Sequence, residues 1–246
     1  MSKSRLDHLL TARGLAESGA QAQRLIMAGL VYVNGQKSDK SGARIAEDAD
    51  IEVRETLRYV SRGGLKLEAA LDHFQLSPQD RTCLDVGAST GGFTDCLLQR
   101  GASKVYAVDV GRGQLHYRLQ HDGSVINLER THIRDLASEN VPDHINALTI
   151  DVSFISLTKV LPLAWPFLSQ GSWAVALIKP QFEEAGPKNL VKGVVRDESV
   201  RQDCVNKVIE CARDLENIET LGVIESPIHG PKGNVEYLLG LYKKGP

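Results

Sequence analysis

The sequence lacks any marked excess of charge. It carries 29 Lys/Arg and 31 Asp/Glu in 246 residues, for a net charge of −2. That excludes a global basic field able to draw in nucleic acid. Cysteine is sparse: Cys83, Cys96, Cys204 and Cys211 form no C-x-x-C pair and have no nearby His cluster. Zinc is therefore not expected, and the four thiols read as core residues in a reducing cytoplasm. No signal peptide is expected, because Met1-Ser-Lys-Ser-Arg leads straight into a predicted short amphipathic helix. The one long uncharged stretch, residues 160–178, is broken by Pro162, Pro166 and Gly171. It reads as a helix end, a loop and a buried strand SWAVALI, so no membrane span is expected. There is no internal repeat, no G-x-G-x-x-G and no Gly-Lys-Ser/Thr of a P-loop.

What is present begins with DVGASTGGFTDCLLQRGA, Asp85 to Ala102. An apolar run, 82–86, enters a Gly/Ser loop at Gly87. A helical pattern (Phe93, Cys96, Leu97) leaves it, as in a nucleotide-binding βα unit. Gly87, Gly91 and Gly92 allow close backbone approach. A Gly-rich turn on its own is also consistent with a plain turn. Asp109 adds discrimination: it ends the next strand, KVYAVD, twenty-four residues after Asp85. Acidic groups that bind a ribose hydroxyl pair sit at about that distance. The loop resembles the first motif of S-adenosylmethionine-dependent methyltransferases, which implies that it holds the amino-acid end of that cofactor. The cofactor-binding candidates are Asp85, Gly87, Ala88, Ser89, Gly91, Phe93 and Asp109. Asp135 is either a contact to the adenine amino group or a cap for HIRDLAS.

Residues 1–44 hold seven Lys/Arg against three acids, a local cationic surface on a mildly acidic chain. RLDHLLTAR and GAQAQRLIMA read as two short helices, the second capped by Ser18. LVYVNG ends in Asn34-Gly35, a strong hairpin signal, and DIEVRE reads as a further strand. RLDHLL and QAQRLIMAGLVYVNGQ resemble the S4 RNA-binding domain. The resemblance implies that Arg5, Arg24, Lys37 and Lys40 contact RNA phosphates; the alternative is an ordinary solvated surface. The expected division is a small α+β domain over 1–53, a connector over 54–60 and a second domain over 61–246.

In the second domain, strands over 82–87, 104–109, 124–129, 145–151, 172–179 and 218–225 alternate with helices. This rhythm predicts an α/β, Rossmann-like sheet that is mostly parallel. The gap SPIHGPKGN is too short for a crossover helix, so the last strand, VEYLLGLY, should pair antiparallel.

Ligands in such sheets sit beyond the carboxyl ends of the strands. Asp151 closes NALTID there and Lys179 closes WAVALIK, while Lys66 lies early in the helix after Gly63-Gly64 and Glu236 opens the last strand. In type and order these match the Lys-Asp-Lys-Glu tetrad of FtsJ-type ribose 2′-O-methyltransferases. YVSRGGLKL, DVSFISL, LIKPQFE and KGVVRD are similar also to the TlyA family, which is named both for hemolysis and for rRNA cytidine-2′-O-methylation. The resemblance spans essentially the whole chain. It implies S-adenosylmethionine as cofactor, rRNA or a ribosomal subunit as partner, and large-subunit rRNA in particular, because the chain resembles the shorter members.

A lysine acts as base only when neutral, and burial and a neighbouring cation both favour that form. Lys179 is therefore assigned as general base and Asp151 as its orienting group, near the cofactor's sulfonium charge. Lys66 and Glu236 would position the ribose. Direct in-line transfer needs no metal. The bland alternatives are Asp151 or Ser153 as a helix cap, Lys66 as a surface residue and Glu236 as an edge-strand charge. The segment 179–197, with Lys188, Lys192 and Arg196, is either a mobile basic clamp on RNA or a plain surface loop.

Overall fold

The computed structural model describes residues 2–53, 58–183 and 190–245. The chain divides into two compact units, Met1–Leu57 and Arg58–Pro246.

In the first unit, β1 (Lys3–Arg5) leads into α1 (Leu6–Ala12) and α2 (Gly19–Met27). Then come β2 (Val31–Val33), β3 (Gln36–Lys37), β4 (Arg44–Ala46) and β5 (Ile51–Val53). Leu6, Leu9 and Leu10 meet Ala22, Ile26, Val31 and Ile51 in one apolar core. Each fully buried Leu or Ile there stabilises by roughly 1.5–3 kcal/mol. Ser18 caps α2 by accepting from the Gln21 amide at 3.2 Å. Asn34 and Gly35 both have positive φ, 50° and 76°, the geometry of a two-residue type I′ hairpin turn. The β1–β4 pair is not foreshadowed in the sequence, because KSR is too short and polar to show alternation.

The second unit is built on seven strands. They are β6 (Thr82–Val86), β7 (Lys104–Val108), β8 (Val125–Leu128), β9 (Ile145–Ile150), β10 (Leu168–Ile178), β13 (Ile218–Glu225) and β14 (Tyr237–Lys243). Their order across the sheet is β13-β14-β10-β9-β6-β7-β8. Six run one way, and β14 runs against both of its neighbours. The period of two along each strand splits the core into two layers. Leu84, Val86, Leu148 and Ile150 face α6 (Leu157–Ala164) and α8 (Glu198–Arg213), whereas Cys83, Val105 and Ala147 face α3 (Gly63–His73) and α4 (Gly92–Gln99). Short elements complete the unit: α5 (Tyr117–Gln120), α7 (Pro180–Glu183), β11 (Leu190–Val191) and β12 (Val194–Val195).

Two boundaries differ from expectation. Ser169-Gln170-Gly171, predicted as a loop, lies inside β10, which absorbs it through a register shift between Leu168 and Trp173 and a positive φ at Gly171. Tyr59 and Val60, predicted in the connector, are packed in the second unit. Tyr59 is in its core, and the Val60 amide donates to Asp95 Oδ2 at 2.7 Å. Residues 54–57 of that connector lie outside the described residues.

Asp85 sits wholly inside the α4 layer. Its two oxygens accept from Thr94 Oγ1 at 2.7 Å and Thr149 Oγ1 at 2.8 Å. Burial pushes its carboxyl up from 3.8 to about 6, against those two hydroxyl hydrogen bonds and with help from the charge of Asp151. The folded state therefore binds this proton more tightly than the unfolded chain does. Its stabilising effect is complete below about pH 3.8 and is lost as pH rises through about 6. Urea midpoints measured across pH should show wild type falling relative to D85N between pH 4 and 7. A pH-independent difference between the two would contradict this assignment.

Candidate active site

The loop after β6 is wedged between two strand ends. The amides of Gly87 and Ala88 donate to the Val108 carbonyl at 2.8 and 3.1 Å, and the Asp151 amide donates to the Val86 carbonyl at 2.9 Å. Gly87 has φ +86°, and a Cβ there would stand 2.3 Å from the Asp151 carbonyl oxygen. No other residue fits. Gly92 is equally constrained, since a Cβ would meet Ser61 Oγ at 2.2 Å and the Gly64 nitrogen at 3.0 Å. The N-termini of α3 and α4 thus pack backbone against backbone. The Tyr59 ring occupies the place where a side chain on Gly64 would go. This packing sets the start of the helix that carries Lys66.

Beside the loop lies a cavity of about 330 Å³, within the size range of small-molecule sites. Gly87, Ser89, Asp109 and Asp151 form its polar side, and Val86, Val108, Ile133 and Val160 its apolar side. The Asp109 carboxylate accepts from the amides of Ser89 (2.8 Å) and Gly111 (2.7 Å). It so ties the glycine loop to the turn after β7. A carboxylate retains further acceptor sites for a diol. A nucleoside with a charged tail matches this lining, so the cavity fits the expected cofactor.

Of the sequence-predicted cofactor residues, Gly87, Ser89 and Asp109 line the cavity, and the other five do not. Asp85 is the buried brace described above. Ala88 and Phe93 belong to apolar clusters, and Gly91 caps α4 with φ 92°. Asp135 is exposed, and the cap of its turn is His132, which accepts from the Arg134 amide at 3.1 Å. Ile133, Gln114, His132 and the run Val152–Ile155 also line the cavity. No motif in the sequence marks Gln114 or His132, whereas DVSFISL contained Val152–Ile155.

The four charged candidates come together as two ion pairs. Lys66 Nζ donates to Glu236 Oε2 at 2.5 Å. Lys179 Nζ lies 2.6 Å from Asp151 Oδ1. That contact is too bent for a hydrogen bond, and the aligned bond of Lys179 goes to Ser153 Oγ at 3.0 Å. Strand register explains the convergence: Ile178 pairs with Tyr237, and Ala176 with Ile150. Lys179, Glu236 and Asp151 therefore finish or begin three neighbouring strands at one edge.

Both lysines are 8% exposed and Glu236 only 1%. Lys66 is thus no surface residue, and Glu236 opens an inner strand rather than an edge strand. Each of the two lysines thus has its own carboxylate partner. Neither Asp151 nor Ser153 caps a helix. Ser156 caps α6, and the buried Glu183 carboxylate accepts from the Leu157 amide at 2.7 Å.

Phe154 stands at this site 90% exposed, with φ +64°, its ring 5.0 Å from that of Phe182. Lys179 Nζ lies 6.0 Å from the centre of the Phe182 ring. A bulky residue in left-handed conformation and open to solvent is unusual.

Among the RNA-contact candidates, Arg24, Lys37 and Lys40 are exposed on the first unit. Arg5 is held by Asp7 through bonds of 3.0 and 2.7 Å, leaving part of its guanidinium open. Lys192 and Arg196 are exposed on the second unit, and Lys188 lies outside the described residues. The part of the segment that is described is not a loose loop, for residues 190–195 form a β11–β12 hairpin.

Two family models match the chain, one for FtsJ-like methyltransferases over residues 59–243 and one for the S4 domain over residues 4–51. The chain belongs to the FtsJ-like methyltransferase family. It is similar to the Mycobacterium tuberculosis protein named 16S/23S rRNA (cytidine-2′-O)-methyltransferase TlyA. The two are 42% identical over 241 residues, which is 97% of this chain and 90% of that protein. Hemolysin A of Brachyspira hyodysenteriae is 44% identical, over 95% of this chain and 98% of that protein. A solved structure from Streptococcus thermophilus, which also carries a hemolysin name, superposes with a TM-score of 0.74 at 43% identity. The match covers 99% of this chain and 90% of that one. Among the described residues, no helix is long and apolar enough to cross a membrane.

Removing one partner of a buried ion pair costs about 3–5 kcal/mol, whereas an apolar replacement of both is close to neutral. E236A in the FtsJ-like domain should therefore lose about that much stability in urea unfolding, while K66M/E236L regains most of it. Equal stability of E236A and wild type would show that the pair is not buried as described.

Proposed function

We propose that the chain is an S-adenosylmethionine-dependent ribose 2′-O-methyltransferase that acts on rRNA in the cytoplasm. The preferred target is cytidine of the large subunit, and the S4 unit supplies RNA affinity. The observation that carries this reading is the two Lys–carboxylate contacts, one buried and one partly buried, at the strand edge next to the cavity that Asp109 lines. When bound, S-adenosylmethionine supplies a methyl group made electrophilic by its sulfonium. Asp109 would take the ribose hydroxyls of the cofactor, Gly87 and Ser89 its amino-acid end, and Ile133 a face of its base.

A 2′-hydroxyl is a weak acid and must shed its proton as it attacks. Lys179 is the base: once its ammonium has given up a proton to solvent, the neutral amine receives the hydroxyl proton at Nζ, while Asp151 and Ser153 hold it in place. Lys66 and Glu236, being neutralised by each other, present donors and acceptors to the substrate ribose without adding net charge. The exposed Phe154 ring offers a stacking face for an unpaired nucleobase, which is how single-stranded RNA is commonly held. Arg24, Lys37 and Lys40 would contact phosphates, giving affinity with little sequence choice. The fit with the TlyA-named relatives supports both ribose chemistry and an rRNA substrate.

K179A should lower methyl transfer to rRNA by about 10²–10⁴-fold, with cofactor and RNA affinities close to wild type. Methyl transfer from labelled S-adenosylmethionine to rRNA and to ribosomal subunits, run beside equilibrium binding, checks this. Near-wild-type transfer by K179A would overturn the assignment of the base.

A further inference from the structure

Two lysines in separate segments share an unusual geometry. Lys192-Gly193 has φ of 53° and 82°, and Lys232-Gly233 has φ of 59° and 85°. Left-handed backbone favours Gly, Asn or Asp over lysine, so a lysine at each site runs against local preference. The first pair tips the β11–β12 hairpin. The second lies in the loop HGPKGN before Glu236.

The two turns touch. Lys232 Nζ would lie 3.3 Å from a Cβ on Gly193. They are also tied by the buried Asn234, whose Nδ2 donates to the carbonyls of Gly193 and Pro231 at 3.0 Å each. Its Oδ1 accepts from the Val195 amide at 3.3 Å. Both lysines are exposed, and neither forms an ion pair among the described residues. The same loop wraps the active-site carboxylate, because a Cβ on Gly230 would fall 2.0 Å from Glu236 Oε1. Lys232 is four residues from Glu236, at most about 14 Å along the chain.

We infer that Lys192 and Lys232, latched together by Asn234, form a two-point clamp for the RNA backbone phosphates that flank the ribose being methylated. This deepens the ribose methyltransferase reading and rests on it. The latch fixes the clamp to Glu236, so a strand held by its phosphates is held in register with the tetrad. Contacts of this kind add affinity without base choice.

The test is the salt dependence of rRNA-fragment binding by K192N/K232N. Asparagine keeps the left-handed turns and removes only the charges. Each lost phosphate contact lowers the slope of log affinity against log salt by about 0.7–0.9, so the double variant should lose about 1.4–1.8 from its slope. Its KM for RNA should rise at least tenfold, with kcat and cofactor affinity unchanged, and K192R/K232R should behave as wild type. An unchanged slope and affinity in K192N/K232N would overturn the clamp, as would a wild type that binds no rRNA. RNA binding by wild type with no ribose methylation would sink the methyltransferase reading instead, and the slope difference would still decide the clamp.

Discussion

The structure depends on keeping two lysines and Glu236 buried, beside a partly buried Asp151, at one edge of a sheet. Such charges are tolerable only in pairs, because an unpaired ion out of water costs several kcal/mol. The parallel strands β9 and β10 deliver Asp151 and Lys179 at their carboxyl ends. A further parallel strand would deliver its first residue to the opposite edge. The reversal of β14 solves this, since an antiparallel strand begins where its neighbours finish, and Glu236 arrives beside Lys179. The antiparallel ending of the sheet is thus a condition of the site and not a decoration of the fold. Lys66 completes the set from a different element, α3, by pairing with Glu236.

Close backbone approach is what lets α3 contribute. Gly64 yields space to Tyr59, and Gly92 yields space to Ser61 and Gly64, so the helices α3 and α4 start in contact. One glycine-rich stretch, SRGG, therefore aims Lys66, and the other, Gly87 to Gly92, shapes the cavity. Their packing links the group that would hold the substrate ribose to the loop that would hold the cofactor.

Much of this was legible in the sequence. The seven strands of the second unit, their shared direction and the reversal of the last follow from apolar runs, turn residues and gap length. All four charged residues of the site stood at strand or helix ends where apolar runs stop. Legibility failed where a residue's role depends on distant neighbours. Asp85 and Phe93 sit in the glycine-loop motif, yet the strand period and the helix face turn them into the core. Ser169-Gln170-Gly171 has loop composition but is carried by a bulge between paired strands. Gln114 and His132 reach the cavity only because the turns after β7 and β8 fold over it. The pairing of each lysine with a carboxylate, and the Asn234 latch between two lysine turns, are contacts between segments that no local pattern encodes.

The most direct test of the central claim locates the transferred methyl group. rRNA methylated by the wild-type protein with isotope-labelled S-adenosylmethionine would be digested to nucleosides and analysed by mass spectrometry. The account predicts label on the ribose 2′-oxygen, with the free base unlabelled. Label on a base, with none on ribose, would contradict it.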